Sequence, residues 1–483
     1  MPTKHGVYTT QAATGVSTPS VADSGIPFVV GAAPVQSADN YSAAALGLPV
    51  LCTSFAEAKA ALGYSDDFAS YDLCEVMYTH FQLFGCQPVI LCNMLNPATM
   101  KATVTAADIN LTDHKALLPI DAINDASLVV KPSTSGSALT KGTDYEAYYS
   151  GENLVVEAIE GGSAYSASKL NIAYNKVDTS KVTKTVVAGG FAAVDSCMST
   201  VGTVPDLLLA PKYSSDSEVA AVMATKAGGI NGMFGAKALV DLDTATANSY
   251  TAAVSTKANK GMTDANEIVC WPMATLGDRK LHMSCIVAGR MAATDTDNAG
   301  VPYESPSNKD AKIDGLCLAD GTAVVLTFEQ ANALNGGGIV TALNFMGAWK
   351  VWGNYTGCYP SSTDPKDMFI PCGRMFAYVQ NTIIRTCWQF LDKPMNRRLL
   401  DTITDTVNIW LNGLVGSGYL LGARVEISED ENPVTQLMAG IIKIHVYMTP
   451  ASPAQEIDFV LEYDSSYVTS ALTALRRNKQ CRE

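Results

Sequence analysis

Apolar and polar positions change texture three times along the chain. From Ile26, IPFVVGAAP is apolar at nearly every position and ends in Gly, Ala and Pro, the signature of a short buried strand. SFAEAKAALG follows, an amphipathic helix with Ser54 placed to cap its start and Gly63 placed to end it. A second helix is predicted over 72–84, and PVILCNML is apolar throughout. Strand, helix, helix and strand, with both strands fully apolar, predict a parallel sheet covered on both faces.

The second texture is SLVVKPSTSGSALTKGTDYEAYYSGENLVVEAIEGGSAYSASKLNIAYNKVD. Short strands are predicted at Ser127–Val130, Asp144–Tyr149, Leu154–Ala158 and Lys169–Tyr174, with Gly- and Ser-rich turns at short, regular spacing between them. This is a small all-β insertion. From DLLLAPKYSSDSEVAAVMATKAG through AKALVDLD and EIVCWPM the strand and helix alternation returns, so the α/β domain is expected to be discontinuous.

The third texture is helical. Phe376, Val379, Ile383, Cys387 and Phe390 recur at helical spacing, Pro394 interrupts, and Leu400, Ile403, Val407, Trp410 and Leu414 form a second stripe that stops at Gly416 and Gly418. Beyond it, Ile442, Ile444, Val446 and Met448 alternate with Lys443, His445 and Tyr447. After a proline-punctuated turn, Ile457, Phe459, Leu461 and Tyr463 alternate with Asp458 and Glu462. Both runs read as half-buried strands, and strands at a chain end must pair with something, because an open edge presents a row of unpaired backbone groups. They could close on each other through TPASPAQE, or pair with another chain.

Composition narrows the function. A chain of 483 residues with 47% hydrophobic content holds two to four domains with real cores. Its net charge of −14, from 33 Lys plus Arg against 47 Asp plus Glu, argues against a general nucleic-acid or polybasic membrane binder. No run reaches the length of a membrane span and the first 25 residues lack an apolar signal core, so neither membrane insertion nor secretion is expected. The 12 cysteines are scattered through apolar runs without a CxxC pair, which predicts buried free thiols.

Signals for chemistry are sparse. The five histidines, His5, His80, His114, His282 and His445, form no linear metal signature, and NGGGIV lacks the spacing of a phosphate loop. Neither a metal nor another cofactor is expected. Asp241 and Asp243 stand at the end of the apolar strand ALVDLD, where α/β enzymes hold carboxylates and where aspartates also cap following helices. Arg374, Arg385, Lys393, Arg397 and Arg398 fall in a stretch holding a single acid, Asp392. That run is either a solvated helix face or a docking surface for an acidic protein partner. The basic tail Arg476, Arg477, Lys479 and Arg482 reads as solvated.

Several segments, taken in order, resemble the tail sheath proteins of contractile phages and related contractile injection particles. They are HGVY followed by IPFVVGAAP, LTKGTDYEAYYSGENLVV, LLLAPKYSSDSEVAAVM, IVAGRMAATDTDNAGVPYESPSN, WKVWGNYTG, and NIWLNGLVGSGYLLGARVEISEDENP with the terminal strands. The resemblance spans nearly the whole chain. It implies a structural subunit, not an enzyme, that polymerises helically around a tail tube and contracts to drive the tube through a cell envelope. It also implies a virion tail or injection particle assembled in the bacterial host cytoplasm, with further copies of the chain, a tail tube protein, and baseplate and tail terminator proteins as partners.

By position, the resemblance places Val7 and Tyr8 in a donated N-terminal arm and Ile457, Phe459 and Leu461 in a donated C-terminal strand. Ile442, Ile444 and Val446 would belong to the accepting sheet, and Lys393, Arg397 and Arg398 to a tube contact. The expected fold is α/β and α+β, multidomain. Its parts are an extended arm over 1–25, a discontinuous α/β domain over 26–95 and 190–345, an all-β insertion over 96–189, an α+β C-terminal domain over 346–453, and a strand arm and tail over 454–483. Two other readings fit the residues: an α/β enzyme built on Asp241 and Asp243, and a static shell protein that polymerises without changing length.

Overall fold

The computed structural model describes residues 19–470, in two compact units, one ending at Ser452 and the other beginning at Pro453. Elements are numbered in chain order. The first strands are β1 (Pro27–Gly31), β2 (Val50–Cys52) and β3 (Val89–Asn93). Helix α1 (Phe55–Leu62) begins where Ser54 accepts a hydrogen bond from the Glu57 amide and ends at Gly63 with φ +75°. Both caps stand where the sequence places them. Helix α2 (Asp72–Met77) widens into π-type turns over Tyr78–Phe84.

Between β3 and the rest of the α/β core lie β4 (Lys101–Asn110), β5 (Lys115–Pro119), β6 (Val129–Lys131), β7 (Tyr145–Ser150), β8 (Asn153–Ala158) and β9 (Lys169–Val177). They form two three-stranded antiparallel sheets, ordered β4-β9-β6 and β5-β8-β7, around a separate core that includes Leu118, Tyr145, Leu154, Val156, Leu170 and Ile172. The chain enters and leaves through paired strands, with Lys101 opposite Val177. At the far hairpin, Glu152 accepts from the Ser65 hydroxyl at 2.5 Å and the Asp66 amide at 3.1 Å, tying this module to the α/β core. Four of its strands match the sequence reading to within a few residues, while β4 and β5 were not expected.

The core resumes with β10 (Leu207–Leu209), helix α3 (Ser217–Gly228), β11 (Lys237–Asp241), β12 (Glu267–Cys270), and a small sheet of β13 (Met273–Leu276), β14 (Arg279–Leu281) and β15 (Gly315–Cys317). Helix α4 (Met283–Asp297) lies between β14 and β15, and β16 (Ile339–Phe345) and β17 (Ala348–Trp352) follow. Eight strands make one sheet in the order β17-β16-β12-β11-β10-β1-β3-β2. The six inner strands are parallel, with an antiparallel strand at each end. The β1, β3, β10, β11 and β12 strands are buried at every position, as a sheet covered on both faces requires.

Both sheet edges are protected. One is the three-residue β2. At the other, 308–311 covers β17: Asn308 donates to the Val351 carbonyl at 2.7 Å and Val351 to Lys309 at 2.9 Å.

The chain then builds α5 (Ile370–Cys387), α6 (Arg397–Gly416), β18 (Leu420–Glu426), α7 (Val434–Met438) and β19 (His445–Pro450). Beyond Ser452 no residue through Asp464 is in a strand.

Candidate functional site

Helix α5 carries two buried faces of opposite character. Its apolar face, Met375, Tyr378 and Val379, meets Val407, Leu411 and Leu414 of α6 in one core. The other face is polar yet equally buried, because each group finds a partner in the α/β core. Asn381 exchanges two 2.9 Å hydrogen bonds with the Gly235 backbone. Arg374 donates to Asp295 at 2.9 and 2.6 Å and to Asp206 at 2.6 Å. Burial disfavours the Arg374 cation, but Asp295 and Asp206 outweigh it and hold the guanidinium above its ordinary value. Thr386 and Thr382, one helical turn apart, each accept a 3.0 Å hydrogen bond from the backbone of Ser20 and Ala22. Arg385 pairs with Asp23 at 3.2 Å. The segment 20–23 is thus laid along α5.

This splits the basic run of the sequence in two. Arg374 is an internal strut and Arg385 an anchor, so a single docking surface over all five cations is not what the fold presents. Lys393, Arg397 and Arg398 remain exposed on the α5–α6 turn and the first turn of α6. Asn396 caps α6 by accepting from the Leu399 amide at 2.9 Å, but no acid stands in that first turn. Two arginines there oppose the helix dipole, and the 3.8 Å contact of Arg397 with Asp401 is too exposed to offset much of that.

The C-terminal strands depart from the sequence reading. The strand expected from Ile442 begins at His445, so Ile442 and Ile444 precede it, and only Val446 of the three proposed accepting residues lies within it. Its partner is β18, antiparallel, with Val425 opposite Val446 and Arg424 opposite Tyr447. Ala423, Val425, Val446 and Met448 face the α5–α6 core. Asn432 fixes the chain just upstream, accepting from the Lys443 amide at 2.7 Å and donating to its carbonyl at 2.9 Å.

Among the described residues this sheet has two strands only, so each has an edge without a ladder partner. The second predicted strand, with Ile457, Phe459 and Leu461, is not formed. A strand needs a neighbour for its backbone groups, and alternation in a sequence signals a half-buried surface without supplying one. Ile457, Phe459, Leu461 and Tyr463 are 71–94% exposed. Val7 and Tyr8 and the basic tail from Arg476 lie outside the described residues.

At the carboxyl ends of β10 and β11, a cavity of ≈ 180 Å³ borders Lys212, Ser214, Asp241, Asp243 and His282. Asp241 is fully engaged: Oδ1 accepts from the Ser284 amide at 2.9 Å, and Oδ2 accepts from the Ser284 and Ser214 hydroxyls at 2.5 and 3.3 Å. It caps α4, and burial raises its carboxyl above the usual range. Asp243 holds the next turn, accepting from the Ala245 amide at 3.0 Å and the Thr246 hydroxyl at 3.2 Å. The two strand-end aspartates therefore serve as caps. Beside them, His282 donates from Nδ1 to the buried Glu75 at 2.8 Å. Burial disfavours the imidazolium, but the Glu75 carboxylate overrides it and raises His282 to about 9, against the Lys212 amide facing Nε2 at 3.2 Å, which favours the neutral ring.

Among the described residues no helix is long and apolar enough to cross a membrane, and no three potential ligands are grouped as a metal set. The eleven cysteines among the described residues are free, ten of them buried and Cys387 half-buried.

No protein-family model matches the chain. It is 24% identical over 486 residues to the tail sheath protein of Burkholderia phage BcepMu, covering 96% of this chain and 97% of that protein. It is 26% identical over 288 residues to a putative prophage major tail sheath protein of Pseudomonas aeruginosa, covering 59% of this chain and 71% of that one. Among solved structures, the contracted helical sheath of the anti-feeding prophage superposes with a TM-score of 0.58 at 17% identity, over 96% of this chain and all of that one. A sheath tail protein from Desulfitobacterium hafniense gives 0.54 at 12% identity, over 93% and 98%. At such identities the superpositions show the fold alone. Over almost its whole length the chain is similar to the tail sheath proteins of contractile phage tails, and its fold is that of the sheath proteins of related contractile injection particles.

Proposed function

We propose that this chain is the structural subunit of a contractile sheath. It polymerises helically around a tail tube and contracts to drive the tube through a cell envelope, with neighbouring subunits linked by donated terminal strands. Ile457, Phe459 and Leu461 lie in the strand given to a neighbour, Val7 and Tyr8 in the arm given from the other end, and Ile442, Ile444 and Val446 in the region that receives. The division into arm, discontinuous α/β domain, all-β insertion, α+β C-terminal domain and strand tail follows the same reading. The tail tube, baseplate and terminator proteins are its other partners, in a particle assembled in the host cytoplasm.

One observation carries this reading. Among the described residues, a two-stranded sheet whose β19 edge has no strand partner and an alternating apolar segment that belongs to no strand occur in the same chain. Strand addition satisfies both at once: backbone hydrogen bonds contribute about 0.5–1.5 kcal/mol each, and alternating side chains set the register. Because donor and acceptor surfaces differ, the contact is head to tail and propagates into a filament.

For the tube contact, Lys393, Arg397 and Arg398 are supported by their exposure and by the unfavourable charge they place at the α6 start. Local violations of this kind concentrate where function sets the residue.

Negative-stain microscopy of the overexpressed chain beside a variant ending at Ser452 tests the linkage. Striated hollow tubes from the first and dispersed particles from the second are expected; tubes of equal length from both would remove strand donation. Charge reversal of Arg397 and Arg398 is expected to weaken tube binding and its salt dependence, and unchanged binding would remove that contact.

A further inference from the structure

Extended as a strand, the terminal segment would present two unlike faces. Ile457, Phe459, Leu461 and Tyr463 make one row, and Glu456, Asp458, Val460, Glu462 and Asp464 make the other, four carboxylates around a single valine. Within the segment Asp464 accepts from the Ser466 amide at 2.8 Å. β19 is two-faced in the same way. Val446 and Met448 point to the α5–α6 core, while His445 and Tyr447, followed upstream at the same parity by Lys443, point outward.

The outer face is built around Tyr447. Arg424 of β18 sits 4.1 Å from its ring centroid and His445 stacks at 5.7 Å. The acids on this face are already matched, Glu426 to Arg424 at 3.5 Å and Glu431 to His445. Lys443 has no ion pair among the described residues. The outward row at β19 thus offers the unpaired cation Lys443, the imidazole of His445 and a tyrosine, whereas β18 offers Arg424 and Glu426 together.

We propose that charge fixes how a second copy's strand lies on this edge, with Val460 opposite Tyr447 and its carboxylates opposite His445 and Lys443. The inference rests on the strand-donation reading and adds an edge, a face and a register to it. The register holds for either strand direction. Run parallel, Asp458 meets His445 and Glu456 meets Lys443; run antiparallel, Glu462 meets His445 and Asp464 meets Lys443. A slip of one residue would turn the carboxylates toward the α6 core and the apolar row to water, and so is strongly disfavoured. A slip of two would set a carboxylate against Tyr447 and waste Val460 on a charged position.

The test is oxidative cross-linking in assembled tubes of the full chain. Tyr447→Cys with Val460→Cys is expected to give a ladder of covalent multimers, while the offset pair His445→Cys with Val460→Cys gives little, each single-cysteine variant setting the background. Stronger linkage in the offset pair, or from Val460→Cys to Arg424→Cys on β18, would overturn the proposal. Separately, Lys443→Glu is expected to raise the critical concentration for assembly by about three- to tenfold. Glu456→Lys should restore it if the strands run parallel, and Asp464→Lys if they run antiparallel; rescue by neither would count against the charge match. If the variant ending at Ser452 still forms tubes, the strand-donation reading itself fails. If only the cross-links fall in another register, that reading stands and this inference does not.

Discussion

Two sheets of one subunit are finished in different ways. The eight-stranded sheet is buried along its central strands, one end is a three-residue strand, and the other is covered by 308–311. It needs nothing from outside. The β18–β19 sheet rests one face on α6; among the described residues its β19 edge has no strand partner, while on the β18 side Asn408 of α6 accepts from the Val425 amide at 3.0 Å. Two strands alone are marginal, so this sheet is stable through the helix beneath it, and on the strand-donation proposal a neighbour's strand completes it. On that proposal the difference separates a rigid body, which keeps its shape, from a joint. A subunit that must move against its neighbours without losing them needs both.

The largest effect that would break this contrast is at Arg374, where the C-terminal helices join the body. Arg374→Met leaves Asp206 and Asp295 buried without their cation and is expected to cost about 3–5 kcal/mol in denaturant unfolding. A cost below about 1 kcal/mol would show that α5 is not held to the body by this group.

Next in size is a pH effect confined to the body. With His282 raised to about 9 against an ordinary 6.5, its stabilisation is complete below about pH 6.5 and is lost as pH rises through about 9. A decline on the order of 1–3 kcal/mol is expected over that window, and His282→Gln should flatten it. An equal decline in the variant would assign the effect elsewhere.

Ser54→Ala removes the cap of α1 and should lower stability by about 1 kcal/mol without touching assembly. The smallest change in the isolated subunit is expected at Phe459. Phe459→Ala should alter unfolding by less than about 0.5 kcal/mol, since the side chain is exposed, yet shorten or abolish tubes. A large loss of monomer stability would mean that the segment is part of the subunit's own fold.

How much of this could be read from the sequence follows the same division. Ser54 and Gly63 bracket α1 because capping is a local rule, and β1 and β3 are legible because a strand buried on both faces is apolar at every position. β4 was missed because most of its side chains face solvent, so Ala, Thr and Asp leave no apolar row to see. Alternation marked a two-faced strand at 445–450 but could not name its partner, β18, which ends 19 residues earlier behind a helix and a loop, and the alternation at 457–463 forms no strand. The basic run misled because charge counts ignore the face a residue occupies. Arg374, Asn381 and Arg385 share one side of α5 and turn inward, while Lys393 lies beyond its end. Asp241 and Asp243 were placed at strand ends as expected, but only the hydrogen bonds to Ser284 and Thr246 reveal them as caps.

The most direct measurement is a cryo-EM reconstruction of tubes assembled from the full chain, at a resolution that traces main chain through 453–464. Residues 457–463 are expected as a strand on the free edge of a neighbouring subunit's β19. A segment folded back on the β19 of its own chain, or lying outside any sheet, would contradict it.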